Sequence, residues 1–353
     1  MHNMLSKIFK FYIYKTDPEI AHKIAVKFIK TSFLKLNLLP NNCYENLYQN
    51  VFGMNFNSPV GLAAGFDKNA EIYNQIIDLG FSFTEVGTIT PLPQEGNPKP
   101  RVFRLIEDKA IINRLGFPND GMSVICKRIQ NNPAKGICGI NIGPNKENAT
   151  SIGDYLSCFD QFFNYASYIT INISSPNTPN LRSQHEDDKI SQLIDSIQWK
   201  RSENKSKIPI LLKLSPDLDY NKIKNLCNIF ISKKIDGIIL TNTTIKNRDN
   251  LFNKNKFEKG GLSGAPLNDL SNDVIKKFYS FLGESIPIIG AGGVSCGETA
   301  FEKIKSGATL LQLYTSLVYE GPNVAKKINK ELSELLKKNG YKNVSDAIGI
   351  NCK

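Results

Sequence analysis

From residue 59 onward, short apolar runs alternate with longer stretches whose apolar positions recur at helical spacing. The short runs fall at 59–63, 83–86, 137–142, 168–173, 210–214, 237–240, 287–290 and 310–313, rich in Val, Ile and Leu. Their length and β-branched content predict buried strands. Helical patterns at 70–79, 188–199, 220–233, 267–282, 296–305 and 322–339 follow most of them. Eight such alternations predict an α/β fold, a parallel sheet closed into a (β/α)8 TIM barrel. An open doubly wound sheet is the competitor, but it requires fewer strands and an early GxGxxG, which this sequence lacks. A small hairpin is expected over 51–57, with Gly53 near its turn, and an extra hairpin from 101–104 and 110–113 after the second strand.

The first forty residues follow a different pattern. Lys7, Lys10, Lys15, Lys23, Lys27, Lys30 and Lys35 stand against only Asp17 and Glu19, interleaved with aliphatic and aromatic residues. Thr16-Asp17-Pro18-Glu19 predicts a helix start with a Thr16 cap and Glu19 three residues on. Ile20, Ile24 and Phe28 then share one face, with the lysines off it. Two short amphipathic helices are expected, and two uses fit them equally: a membrane surface, or packing on the main domain with a solvated lysine face. The polar connector at 40–48 divides an N-terminal extension, 1–40, from the barrel, 41–353.

The strand ends carry the candidate chemistry. After the first come Ala64, Gly65, Phe66, Asp67 and Lys68; after the second, Thr88; in the third, Asn141. The fourth ends in Asn172, Ser175 and Asn177; the fifth holds Lys213; the sixth leads to Thr241, Asn242 and Thr243, and later Gly264. The seventh gives Gly293, and the eighth Tyr314 and Thr315. A single polar strand end is usually a turn. In a barrel, however, all eight meet on the C-terminal face, where such folds keep their active sites. Gly264, Gly293 and the helix start at Tyr314-Thr315 form a candidate phosphate cradle, because glycine admits close backbone approach and helix N-termini favour anions. The asparagines can both donate and accept, as the edge of a flat heteroaromatic ligand requires. Lys213 interrupts an apolar strand, which places its charge inside the barrel rather than in solvent. Ser175 is the preferred proton acceptor; an unassisted hydroxyl is a weak base, so it needs a relay through water or Thr178.

Composition narrows the alternatives. The net charge of +11 invites a nucleic-acid or anionic-membrane partner, but the basic residues are spread out and no nucleic-acid module is visible, so no nucleic acid is expected. Seven cysteines without a CxxC pair fit free thiols in a reducing compartment. No signal-peptide pattern and no membrane-spanning apolar run is seen. The histidines are His2, His22 and His185, without a carboxylate cluster, so no metal site is expected.

The run from Asn172 through Arg182 closely resembles the substrate loop of dihydroorotate dehydrogenases. So do Ala63 to Asn69, the stretch Asn113, Arg114, Leu115, Gly116 and Phe117, Thr241 to Thr244, and Gly260 to Gly264. The resemblance spans about residues 11–335 with its motifs in order. An N-terminal helical extension and a serine at the base position, here Ser175, resemble the quinone-dependent, membrane-associated class; the soluble classes lack the extension and use cysteine. The resemblance implies one bound FMN, held by Ala64, Gly65, Phe66, Asp67, Lys68, Thr88, Asn141, Asn172, Lys213, Thr241, Gly264, Gly293, Tyr314 and Thr315. It implies dihydroorotate held by Lys68, by Asn113, Arg114, Leu115, Gly116 and Phe117, and by Asn172, Asn177, Asn242 and Thr243. His22 and Arg104 match quinone head-group positions. The implied reaction oxidises (S)-dihydroorotate to orotate for pyrimidine synthesis with a membrane quinone as acceptor. The implied location is peripheral, on the cytoplasmic face of the cell membrane, through the N-terminal helices. Asn180 departs from the family, where many members have Gly; Asn tolerates the same turn. The competing functions are a soluble flavin dehydrogenase using fumarate or NAD, and a non-catalytic basic protein that binds nucleic acid or acidic lipid.

Overall fold

A computed structural model describes residues 15–31, 43–177, 181–182, 186–246 and 248–352. The first expected helix, Thr178, Asn180 and His185 lie outside the described residues. A hairpin of β1 (Gln49–Val51) and β2 (Met54–Phe56) leads into β3 (Val60–Leu62) and β4 (Phe83–Ile89). A second hairpin, β5 (Val102–Leu105) and β6 (Ala110–Asn113), follows. Next come β7 (Ile137–Ile142), β8 (Tyr168–Asn172), β9 (Ile210–Leu214) and β10 (Gly237–Leu240). After β11 (Gly261–Gly264), β12 (Ile288–Ala291) and β13 (Leu310–Leu313) complete the sheet. The strands β3, β4, β7, β8, β9, β10, β12 and β13 close into one barrel in that order, every pairing parallel. These are the eight strands expected from the apolar runs.

Because side chains alternate across a strand, the barrel interior is layered. Phe83, Tyr168, Leu211, Ile239, Ile289 and Leu310 pack as one apolar cluster, and Val51 and Phe56 of the first hairpin join it to plug that end. Two residues further along the strands come Glu85, Thr170, Lys213 and Gln312, all buried. Tyr168 fits because β7 has Gly139 beside it; a Cβ there would lie 2.1 Å from the tyrosine ring. The sheet therefore has an apolar floor and a polar ceiling, and the ceiling faces the strand C-termini.

Outside the barrel, helices bury their apolar stripes against the strands. Two were not expected. Met122–Asn131 buries only Ile125, Cys126 and Ile129 among polar residues. Ile152–Phe162 buries Tyr155, Cys158, Phe159 and Phe162, a regular helical stripe obscured by its tyrosine and cysteine. The segment at 261–264, outside the eight apolar runs, is a further strand and pairs with β6 to extend the hairpin into a three-stranded sheet.

Helix Pro18–Lys30 starts one residue later than expected. Its cap is Asp17, whose side chain accepts from the Glu19 and Ile20 amides at 2.9 and 3.0 Å, and not Thr16. Arg101 ties the helix to the barrel: its guanidinium lies 2.9 Å from Glu19 and donates to the Glu95 and Asn97 carbonyls. Arg104 donates to the Thr16 carbonyl at 3.0 Å. The helix thus sits at the polar end of the barrel.

Candidate active site

A large cavity opens at the C-terminal ends of the strands, where barrels of this kind keep their active sites. Its lining includes Ala64, Gly65, Lys68 and Thr88 from the first two strand ends, and Asn172, Ser175, Asn177 and Lys213 from the middle of the chain. Thr241, Asn242, Thr243, Gly264, Gly293, Tyr314 and Thr315 complete the barrel side, and Asn113, Leu115, Gly116 and Phe117 close it from the small sheet.

Other expected residues sit differently. Asn141 lies just beneath the cavity, accepting from the Thr88 hydroxyl at 2.6 Å and the Asn172 amide at 3.2 Å. Asp67 turns its carboxylate inward to accept from the Glu71 and Ile72 amides, both at 2.8 Å, so it shapes the loop that carries Lys68. Burial raises its pKa, and those two bonds oppose the shift. Phe66 packs edge-on to His22 and Tyr314. The Arg114 side chain leaves the cavity: it pairs with Glu258 at 2.8 Å, donates to the Pro100 and Lys259 carbonyls, and lies over Phe103.

The Ser175 loop is built on the buried end of β8. Ser175 is 5% exposed, and its hydroxyl oxygen accepts from the Asn177 amide at 3.2 Å. Asn177 donates to Asn113 at 3.2 Å, which joins this loop to the small sheet. Asn242 donates to Ser174 at 2.9 Å. Arg182 anchors the far side of the loop through the Ser174 and Thr243 carbonyls and an ion pair with Asp217 at 2.8 Å. Asp217 in turn accepts from Thr244 and the Ile245 amide. Arg182 and Asp217 thus fasten the loop.

Two cations enter the cavity from opposite sides. Lys68 donates to His22 Nε2 at 3.4 Å. Burial lowers its pKa to about 8, while Glu19 and Asp67 oppose the shift. Burial and then the nearby Lys68 charge lower His22 to about 3, so it is a neutral acceptor here. Lys213 is 6% exposed with its ammonium 4.0 Å from Glu85. Burial lowers its pKa, and Glu85 opposes the change.

Glu85 and Gln312 were missed. Glu85 is fully buried and accepts from Asn141 at 2.8 Å, Gln312 at 2.9 Å, and Tyr168 and Thr170 at 3.1 Å. The available signal was the one that exposed Lys213, a charge inside an apolar strand. Gln312 leaves its buried Oε1 without a partner, as Thr241 does its hydroxyl. Both residues line the cavity. Buried polar atoms are normally satisfied, so these two fit a polar ligand seated against them. Gly264 and Gly293 have positive φ values of 101° and 81°. A Cβ on Gly264 would lie 2.4 Å from the Lys109 carbonyl, and one on Gly293 2.4 Å from Asn268. Beside the Thr315 helix start they form a close-approach surface suited to a phosphate.

The dihydroorotate dehydrogenase family matches residues 46–336. A protein of Agrobacterium fabrum named dihydroorotate dehydrogenase (quinone) is 41% identical over 98% of this chain and 96% of its own. A Bartonella tribocorum protein of the same name is 44% identical over 95% of this chain and 93% of its own. The crystal structure of DHODH from Eimeria tenella in complex with ferulenol superimposes with a TM-score of 0.89 at 35% identity, covering 95% of this chain and 96% of that one. A barrel whose serine loop, paired lysines and glycine cradle share one cavity, in a chain so matched along nearly its whole length, belongs to the dihydroorotate dehydrogenase family.

Proposed function

We propose that this protein is a quinone-dependent dihydroorotate dehydrogenase that oxidises (S)-dihydroorotate to orotate in pyrimidine biosynthesis, with FMN as its resident cofactor. The observation that carries this reading is the convergence of Ser175, Lys68 and Lys213 on one cavity that also holds two orphaned polar atoms and a glycine cradle. When bound, FMN supplies the two-electron acceptor for hydride from carbon six and the link onward to a quinone. The protein supplies placement and charge. Ser175 takes the proton from carbon five while its own hydroxyl proton passes on to water. Lys68 balances the substrate carboxylate, and Asn113, Asn172, Asn177 and Asn242 hold the ring through paired donors and acceptors. Arg114 supports this wall from outside through Glu258. Gly264, Gly293 and Thr315 would hold the FMN phosphate, and Lys213 would supply the positive charge that offsets the reduced flavin.

His22 and Arg104 face the helix side of this arrangement and are assigned to the quinone head group. Helix Pro18–Lys30 leaves Ile20, Ile24 and Phe28 about half exposed, beside Lys23, Lys27 and Lys30. That face supports peripheral attachment to a membrane surface, which we place on the cytoplasmic side of the cell membrane. No described helix is long and apolar enough to cross a membrane.

An absorbance spectrum tests the function. The purified protein is expected to be yellow, to bleach on adding dihydroorotate and to recolour with ubiquinone or menaquinone. A colourless protein, or recolouring by fumarate but not by quinone, overturns the reading.

The lowered pKa of Lys68 gives a pH signature. Below about pH 8 the free enzyme presents an ammonium; above it, an amine. A bound carboxylate restores the proton, so orotate affinity should be flat at lower pH and weaken up to about tenfold per unit above pH 8. Titration of the flavin spectrum with orotate measures this. A profile that stays flat well above pH 8 removes Lys68 from the carboxylate site.

A further inference from the structure

We propose that the loop from Arg248 to Lys259 is a second membrane foot that docks on an anionic lipid surface beside helix Pro18–Lys30; this rests on the membrane attachment proposed above. Phe252 and Phe257 are 85% and 82% exposed, the two most exposed large apolar side chains among the described residues. Single exposed apolar residues are ordinary, but two nearly bare phenylalanines on one short loop call for a cover.

The loop does not expose them for want of anchoring. Leu251 is buried in a cluster with Leu105, Ile112 and Leu262. The Phe252 and Asn253 amides donate to Asp108 at 2.9 and 3.1 Å. Lys256 braces the turn through the Asp249 and Leu251 carbonyls. The phenylalanines are therefore presented outward by a fastened segment.

Charge and position select the partner. Of the nearby acids, Glu258 pairs with Arg114 and Asp108 accepts from two amides, while Glu107, bonded to Asn253, and Asp249 stay exposed; within the loop Arg248, Lys254, Lys256 and Lys259 outnumber Asp249 and Glu258. Lys254 and Lys259 remain exposed beside the rings. Aromatic rings flanked by lysines suit the boundary between anionic headgroups and acyl chains. Arg104 joins this loop to the helix: its guanidinium donates to the Thr16 carbonyl, and its own carbonyl accepts from Asn255 at 3.4 Å. The loop and the helix therefore both border Arg104 of β5, which lets one bilayer meet the two segments together. Ile106, 44% exposed at the tip of the adjoining hairpin, extends the same surface.

The test uses the full-length flavoprotein and vesicles of phosphatidylcholine with phosphatidylglycerol. Phe252→Ser with Phe257→Ser should raise the lipid concentration for half-maximal binding about tenfold or more, with flavin reduction by dihydroorotate unchanged. Lys254→Glu with Lys259→Glu should weaken binding by at least as much, through loss of attraction to the anionic headgroups. A Phe252→Trp substitution in a Trp199→Phe background should give blue-shifted emission on vesicle addition, quenched by brominated lipid chains. Unchanged vesicle affinity of the phenylalanine double variant, or an unshifted indole on vesicle-bound protein, overturns the proposal. Loss of binding in Ile24→Ser with Phe28→Ser, together with full binding in the loop variant, would sink the second foot and leave the helix attachment standing. Failure of the unmodified protein to bind the vesicles would remove both.

Discussion

Ser175→Ala is expected to slow flavin reduction by dihydroorotate about 10³-fold while the flavin stays bound. A positioned general base contributes roughly 10² to 10⁴ in rate, or about 3–5 kcal/mol of barrier. Ser175 carries a buried hydroxyl that lines the cavity, on a loop fixed from three sides: Asn177 to the small sheet, Arg182 to Asp217, and β8 beneath. Alanine removes the oxygen and keeps these anchors, because none of them uses the Ser175 hydroxyl; only the 3.2 Å bond from the Asn177 amide is lost. The defect should therefore appear in the reduction step, with orotate affinity within a few-fold of the parent. Ser175→Cys separates the proton-transfer role from a packing role. Its thiolate becomes available near the ordinary cysteine pKa of about 8.5, so reduction should recover partly and rise with pH through that range. Stopped-flow bleaching of the flavin reads both variants. Reduction of Ser175→Ala at near-parent rates would assign the base elsewhere.

The barrel was legible because a closed parallel sheet leaves a simple trace: apolar runs of strand length, separated by helices. Lys213 was legible for a related reason, since an ammonium inside Ile210–Leu214 has no route to solvent. The site was harder to read where its parts depend on contacts distant in sequence. Glu85 carries the same kind of signal as Lys213, yet its meaning lies in Asn141, Tyr168, Thr170, Lys213 and Gln312, which come from four other strands. Arg114 stands inside a recognisable motif, but Glu258 and two backbone carbonyls draw its side chain outward. The β11 segment reads as a turn by its two glycines. It is a strand because β6 offers an open edge and Thr243 crowds Gly261 so closely that a Cβ there would lie 2.0 Å from its hydroxyl. Thr16 and Asp17 are both good caps, and only the path of the chain decides between them.

The largest stability effect should come from Glu85→Gln. The replacement keeps the shape but removes the charge that offsets Lys213, and it puts an NH2 group where four donors already converge. Breaking a buried ion pair on one side typically costs about 3–5 kcal/mol. The variant flavoprotein should therefore lose several degrees in Tm. Glu85→Gln combined with Lys213→Met should cost less than the sum of the two single changes, because the second removes the charge that the first leaves stranded. The deficit also has a sign in pH. Without Glu85, the opposition to the lowered Lys213 pKa is gone, so that pKa falls further. The folded state then binds fewer protons than the unfolded chain between this lowered pKa and the ordinary lysine value of about 10.4. Stability of the variant should rise with pH across that window, closing part of the gap to the parent as the solution is made more alkaline. Thermal unfolding of the three variants and the parent at several pH values measures all of this. Additive single effects, or a gap independent of pH, would show that Glu85 and Lys213 share a space without sharing a charge balance, and the polar ceiling of the barrel would then be held by its neutral hydrogen bonds alone.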